Sequence, residues 1–198
     1  MHTKHAFVSL FATGGLLCAL LLSACGNAAS STAATATTAV MPTSSTGAAL
    51  SHDFTSTDGV INLKYPDAWT MQALNVADSP NAAMFSSANS NDIFVLEPLN
   101  VQVTADNYSA LGTAFLQGIK ATDVQMGTTS QSAAIGASTW TIAQGTATFN
   151  GTPSTLTELG TDHNGTTLLI FTLGPTATDN NDGNTYFQPM VTSLMFMK

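Results

Sequence analysis

The chain has 198 residues, of which four are basic and twelve acidic, giving a formal net charge of −8, and 44% are hydrophobic. All four basic residues are lysines, so the protein offers little cationic surface to phosphate groups. Nucleic acid is therefore excluded as a partner, because its binding depends on clusters of Lys and Arg. We expect anionic lipid headgroups to repel the same surface.

Residues 1–24 have the order of a secretory signal. A short start containing Lys4 is followed by an apolar run that ends in the small residues Ser23 and Ala24. The run approaches the length of a membrane-spanning helix, but two adjacent glycines interrupt it and no basic stop-transfer cluster follows. We therefore interpret this segment as a cleaved signal peptide.

The sequence Leu22-Ser23-Ala24-Cys25 follows this apolar run and resembles the lipobox of bacterial lipoproteins. The resemblance implies that Cys25 receives a diacylglycerol and becomes the mature N-terminus, so that the protein is lipid-anchored to the cell membrane on its extracytoplasmic side. Two or more acyl chains make such an anchor durable. The alternative is ordinary secretory cleavage, which would leave Cys25 as a free thiol. With lipidation, no thiol would remain for a disulfide, a nucleophile or a metal site.

Residues 25–53 comprise this cysteine and a stretch rich in Ala, Ser and Thr. Such a composition cannot bury enough apolar surface to offset the entropy lost on ordering, so it predicts a flexible linker. His52 falls within this linker. The folded domain is predicted to span 54–198, which is an ordinary length for a single domain.

A period of two dominates the domain and predicts a sheet of many strands. The strand candidates are Val60–Tyr65, Ala82–Ser86, Ile93–Leu96, Val124–Thr129, Thr139–Phe149, Ser154–Thr161 and Thr167–Leu173. Asn164-Gly165, between the last two, indicates a hairpin turn because both residues tolerate positive φ.

Two helices are predicted from apolar residues at helical spacing. The first covers Asn107–Ala121, with Asp106 able to cap its start, and the second covers Gln188–Ser193. Few helices on many antiparallel strands indicate an α+β fold.

Residues 59–69, GVINLKYPDAW, resemble the opening of PsbP-like domains, with an alternating strand followed by Tyr-Pro and Trp. Residues 187–196 are similar to the closing helix and strand of that family. The resemblance implies an antiparallel sheet covered by helices, an α/β/α sandwich. The family has diverse accessory and binding roles, including an extrinsic photosystem subunit, so the resemblance does not transfer an activity.

Three kinds of residue are candidates for a site. Trp69 and Trp140 could stack a ligand, but large aromatic residues are more often buried, so we predict that both pack in the core. His163 lies beside a predicted turn and is interpreted as a solvated turn residue. Asp179 and Asp182 offer oxygen ligands for calcium, but the glycine after them is out of register with the familiar loop, so we predict a polar turn there.

These observations leave two classes of function. The first is a noncatalytic binding or assembly module, a monomer held at the membrane by lipid that docks to a membrane-resident protein. The alternative is a small-molecule-binding or hydrolytic lipoprotein with a pocket between sheet and helices. Neither requires a cofactor, and no catalytic residue can be assigned from the sequence.

Overall fold

The computed structural model describes residues 47–76, 79–89, 91–128 and 130–197. The predicted signal peptide and Cys25 lie outside the described residues. No helix in these ranges is both long and apolar enough to cross a bilayer.

The described residues form eleven β-strands, most of them antiparallel neighbours in one large sheet. The strands are β1 (Leu50–Thr55), β2 (Ile61–Pro66), β3 (Thr70–Ala73), β4 (Ala83–Ser86), β5 (Ile93–Leu99), β6 (Thr122–Met126), β7 (Gln131–Ile135), β8 (Ser138–Phe149), β9 (Thr152–His163), β10 (Thr166–Pro175) and β11 (Met195–Phe196).

Helical structure is confined to two parts of the described chain. A 3₁₀ turn at Ala105–Asn107 leads into α1 (Tyr108–Gly118). The second part is continuous over residues 179–193 and contains α2 (Asp179–Asp182), a π-helical turn and α3 (Gln188–Ser193). We call residues 179–193 the C-terminal helical segment. The helix predicted at Gln188–Ser193 is confirmed, with a proline in its first turn.

The strands form two antiparallel sheets. The large sheet has the order β3-β4-β5-β10-β9-β8-β6, with β7 also paired to β8, and the small sheet has the order β1-β2-β11. The hairpin predicted at Asn164-Gly165 is confirmed: His163 pairs with Thr166, and both turn residues have positive φ. The predicted α+β architecture, an antiparallel sheet with helical cover, is the observed one.

The central strands of the large sheet are buried on both faces. One face packs against the small sheet and the C-terminal helical segment, and its core includes Leu63, Trp69, Phe85, Phe94, Leu96, Trp140, Ile170 and Met190. The other face packs against α1, and its core includes Ile93, Val95, Tyr108, Leu116, Leu156, Leu169, Phe171 and Leu173. Each fully buried large apolar side chain contributes about 1.5–3 kcal/mol. On the first face, part of the covering layer is the small sheet, whereas the predicted sandwich has helices there.

Both tryptophans belong to the core, as predicted. Trp69 is 5% exposed and Trp140 is 2% exposed. The indole N–H of Trp140 donates to the carbonyl oxygen of Ile135 at 3.3 Å, which satisfies its polar edge. Neither ring is available as an open stacking platform.

The folded region begins earlier than the sequence predicts. Strand β1 starts at Leu50, inside the predicted linker, and the backbone N–H of Ala48 donates to the carbonyl oxygen of Thr185. Leu50 and Phe54 are half-buried against the core, and pairing with β2 satisfies the polar backbone between them. His52 is thus a strand residue: it bonds Asp67 at 2.8 Å and stacks on a tyrosine of β2.

Candidate functional site

A cleft of about 390 Å³ opens on the α1 face of the large sheet, beyond the N-terminal end of that helix. It forms where α1 no longer covers the ends of β8 and β9. It is lined by Val103, Tyr108, Ala137, Ser138, Thr139, Thr141, Gly160, Thr161 and Asp162. Five of these nine residues carry hydroxyl groups, so the cleft is predominantly polar and presents both donors and acceptors.

Tyr108 forms one wall of the cleft. It is the first residue of α1, and its buried ring lies directly over Gly160 of β9. A methyl group at Gly160 would overlap the hydroxyl and ring of Tyr108, so glycine is required for this approach. Burial raises the pKa of Tyr108, and the charges of Glu158 and Asp162 add to this, whereas a hydrogen bond with Thr141 opposes it.

Asp162 supplies the carboxylate of the cleft. It is an exposed residue near the end of β9, and its Oδ1 accepts a hydrogen bond of 2.6 Å from the hydroxyl of Thr167. Thr167 is itself fully buried and accepts a 2.9 Å bond from the backbone N–H of Val103. The carboxylate is therefore oriented by a buried neighbour on β10.

Glu158 lies on the same face of β9, two residues before Gly160, but does not line the cleft. It is fully buried under α1, and neither carboxyl oxygen has a hydrogen-bond partner of good geometry among the described residues. Burial raises the pKa of Glu158 to about 8, the backbone of Gly112 lowers it less, and the charge of Glu97 raises it further. The side chain is therefore mostly neutral at pH 7.

Gly112 of α1 allows the helix to approach this carboxyl group. A methyl group there would lie 2.9 Å from Oε2 of Glu158 and would overlap the thioether of Met126. The helix and the acid thus fit together only because the position has no side chain.

The acidic sequence at Asp179 and Asp182 is not the predicted polar turn. It forms α2, the first turn of the C-terminal helical segment. Asp182 is buried beside Asp92, whose pKa is raised by burial and then by the negative charge of Asp182. In the described ranges, no group of three or more His, Cys, Asp or Glu residues could hold a metal ion.

His163 is only partly a solvated turn residue. It ends β9 at the predicted turn, but its ring stacks on Phe196 of β11, with the ring centres 4.0 Å apart. The large and small sheets meet at this contact.

Glu158, Asp162 and Gly160 were not predicted as site residues from the sequence. The sequence contains a pattern that could have indicated two of them, because Leu156, Glu158 and Gly160 alternate along one strand and would share its buried face. Tyr108 falls within the first predicted helix, Asn107–Ala121, and begins the observed one. Its position over Gly160 depends on tertiary packing that the sequence pattern does not specify.

No family model matches this chain, and no curated protein matches it. Solved structures do resemble it. Cyanobacterial PsbP (CyanoP) from Synechocystis sp. PCC 6803 aligns with a TM-score of 0.55 and 9% sequence identity, over 80% of this chain and 99% of that one. The chain has a PsbP-like fold.

Two further structures are similar. A protein from Bacteroides thetaiotaomicron VPI-5482 has a TM-score of 0.50 and 11% identity over 74% of this chain, which spans about half (48%) of that protein. LpqN, involved in cell envelope biogenesis of Mycobacterium tuberculosis, has a TM-score of 0.44 and 12% identity over 74% of this chain and 90% of that one. At such identities the likeness to PsbP concerns the fold alone.

Proposed function

We propose that this PsbP-like protein is a lipid-anchored, extracytoplasmic binding module without catalytic activity. The sequence Leu22-Ser23-Ala24-Cys25 after an apolar run supports the anchor, because lipid transfer needs a cysteine sulfur at that place. With two or more acyl chains the attachment is durable, and the domain can dock weakly to a membrane-resident protein within its reach.

The observation that carries the binding role is the hydroxyl-lined cleft ahead of α1. In the part of the chain that the structure describes, Tyr108 and Asp162 are its only ionisable side chains. A glycoside hydrolase uses two carboxyl groups that flank the scissile bond, and here the second candidate, Glu158, is buried outside the cleft. The geometry therefore favours the small-molecule-binding half of the alternative over its hydrolytic half.

The anchor is tested by the substitution Cys25→Ser. The wild-type protein should enter the detergent phase and carry the mass of attached lipid, because a thiol accepts the diacylglycerol. The variant should keep the uncleaved precursor mass and carry no lipid. Phase partitioning followed by mass spectrometry of the intact protein measures both properties.

Cys18→Ser is the matched control, since it changes the other cysteine without touching the lipobox. It should behave as wild type. A wild-type protein that carries no lipid mass would overturn the anchor, although the binding role of the cleft would still stand.

A further inference from the structure

The cleft ahead of α1 has a composition that limits its ligand. The hydroxyl group of Thr139, on the α1 face, makes no side-chain hydrogen bond within the described ranges, while Thr161 donates to the carbonyl oxygen of Thr139 at 2.9 Å. A hydroxyl group can donate and accept at once. A ligand with many hydroxyl groups of its own would match such a wall, because each of its groups can also do both.

The charge of the cleft excludes another class of ligand. Among the described residues, no Lys, Arg or His lines it, and the one charged group that does is the carboxylate of Asp162. An anion bound there would be desolvated beside a negative charge without a cationic partner, which is costly. The ligand is therefore neutral or weakly cationic.

Asp162 is oriented to accept a hydrogen bond from a ligand. Its Oδ1 is held by Thr167 at 2.6 Å, so its second oxygen remains for a ligand. Hydrogen bonds to a carboxylate are shorter and about twice as strong as those between neutral groups. Because Thr167 is fully buried, the orientation of the carboxylate is set before the ligand arrives.

We propose that the cleft binds a small neutral sugar, of one or two residues, through Asp162 and Thr139. This rests on the proposed binding function and names its ligand class. The volume of about 390 Å³ is near the lower end of the range for ligand pockets, about 300–1,000 Å³, which suits a small ligand. Val103 offers an apolar contact for the C–H face of a sugar ring.

The experiment is a calorimetric titration of the full chain in detergent micelles. Glucose, N-acetylglucosamine and maltose serve as neutral probes, and glucuronate serves as the anionic one. At least one neutral probe should bind saturably, and glucuronate should bind at least tenfold more weakly than glucose. Asp162→Asn should lower the affinity for the neutral probe about tenfold, and Thr139→Val should lower it severalfold.

The matched controls are Asp123→Asn and Thr146→Val, which make the same chemical changes outside the cleft. Both should bind as wild type. Thr139 is exposed, so its variant is expected to fold even if the Asp162 variant does not. Saturable binding of no neutral probe, equal binding of glucuronate, or an unaffected Thr139→Val variant would each overturn the proposal. The Cys25→Ser experiment does not depend on any of these three results, so the proposed anchor and the proposed ligand class are tested separately.

Discussion

At the scale of single residues, two glycines shape the region around the cleft. Gly160 leaves room for the ring of Tyr108, and Gly112 leaves room for Glu158 and Met126. Both contacts are made by a backbone against a large side chain, so added volume has no free space to enter. These positions therefore determine where α1 lies on the sheet.

We predict that Gly160→Ala destabilises the protein by about 1–3 kcal/mol, as overpacking does, because the added methyl group displaces Tyr108. For a domain of this size that lowers Tm by roughly 2–10 °C. Thermal unfolding followed by circular dichroism measures the change.

Gly183→Ala is the matched control. Gly183 has φ −54° and no atom within 4 Å of an added methyl group. It should be neutral or stabilising by up to about 1 kcal/mol. If the Gly160 variant melts at the wild-type temperature, Tyr108 does not pack as described.

At the scale of elements, the long alternating strands and both helical parts could be predicted from the sequence. Their apolar periodicity is strong, and the Asn164-Gly165 turn requires the positive φ that it has. The missed strands β1, β3 and β7 have short or polar patterns, and every residue of β3 is exposed. Their pairing with neighbours, and not their own composition, makes them strands.

The start of α1 also differs from its prediction. Asp106 lies in the 3₁₀ turn before the helix and does not cap it. The N-cap residue, Asn107, makes no side-chain cap bond either. The cleft itself could not be predicted, because it joins residues of one helix and two strands whose register only the fold establishes.

We predict that β1 contributes to stability although it lies partly in the predicted linker. Phe54 is half-buried and meets Phe85 edge-on, with ring centres 5.4 Å apart. Phe54→Ala should lower the free energy of unfolding by about 2 kcal/mol, which is less than the roughly 3–5 kcal/mol lost when a fully buried phenylalanine is replaced by alanine. Urea unfolding of the full chain measures this as a lower midpoint with an unchanged slope.

Asp53→Ala provides the comparison on the same strand. Its ion pair with Lys64, at 2.8 Å, is exposed, so the substitution should lower the free energy of unfolding by no more than about 0.5 kcal/mol. Equal effects of the two variants would show that β1 does not pack on the core.

At the scale of the whole molecule, buried carboxyl groups make stability depend on pH. Burial is the main cause that raises the pKa of Glu158, Glu97, Asp92 and Asp179. Each of these groups holds its proton more tightly in the folded state than in the unfolded state. The folded state therefore binds more protons, and its stability must fall as pH rises.

For Glu158, this loss of stability falls between pH 4.5 and about pH 8. Below its ordinary pKa of 4.5 both states are protonated, and above about 8 both are ionised. Between these values the free energy of unfolding should fall by up to about 1.4 kcal/mol per pH unit. Glu158→Gln should reduce this slope and should be more stable than wild type at pH 8, as measured by urea unfolding at pH 5, 6, 7 and 8.

Asp123→Asn, an exposed carboxyl removed by the same chemical change, should keep the wild-type slope. A Glu158→Gln variant whose pH dependence equals that of wild type would show that Glu158 is ionised, and therefore hydrated, in the folded protein.

The small sheet gives the domain two distinct ends. Strand β1 enters opposite Pro66 of β2, whereas β11 leaves opposite Ile61, about 17 Å away at 3.3 Å per residue. His163, next to Asp162, stacks on β11 and places the cleft at the Ile61 end. The described chain enters the small sheet at the other end, opposite Pro66. Its first strand and the cleft therefore lie at different ends of this sheet, so a ligand entering the cleft does not meet the start of β1.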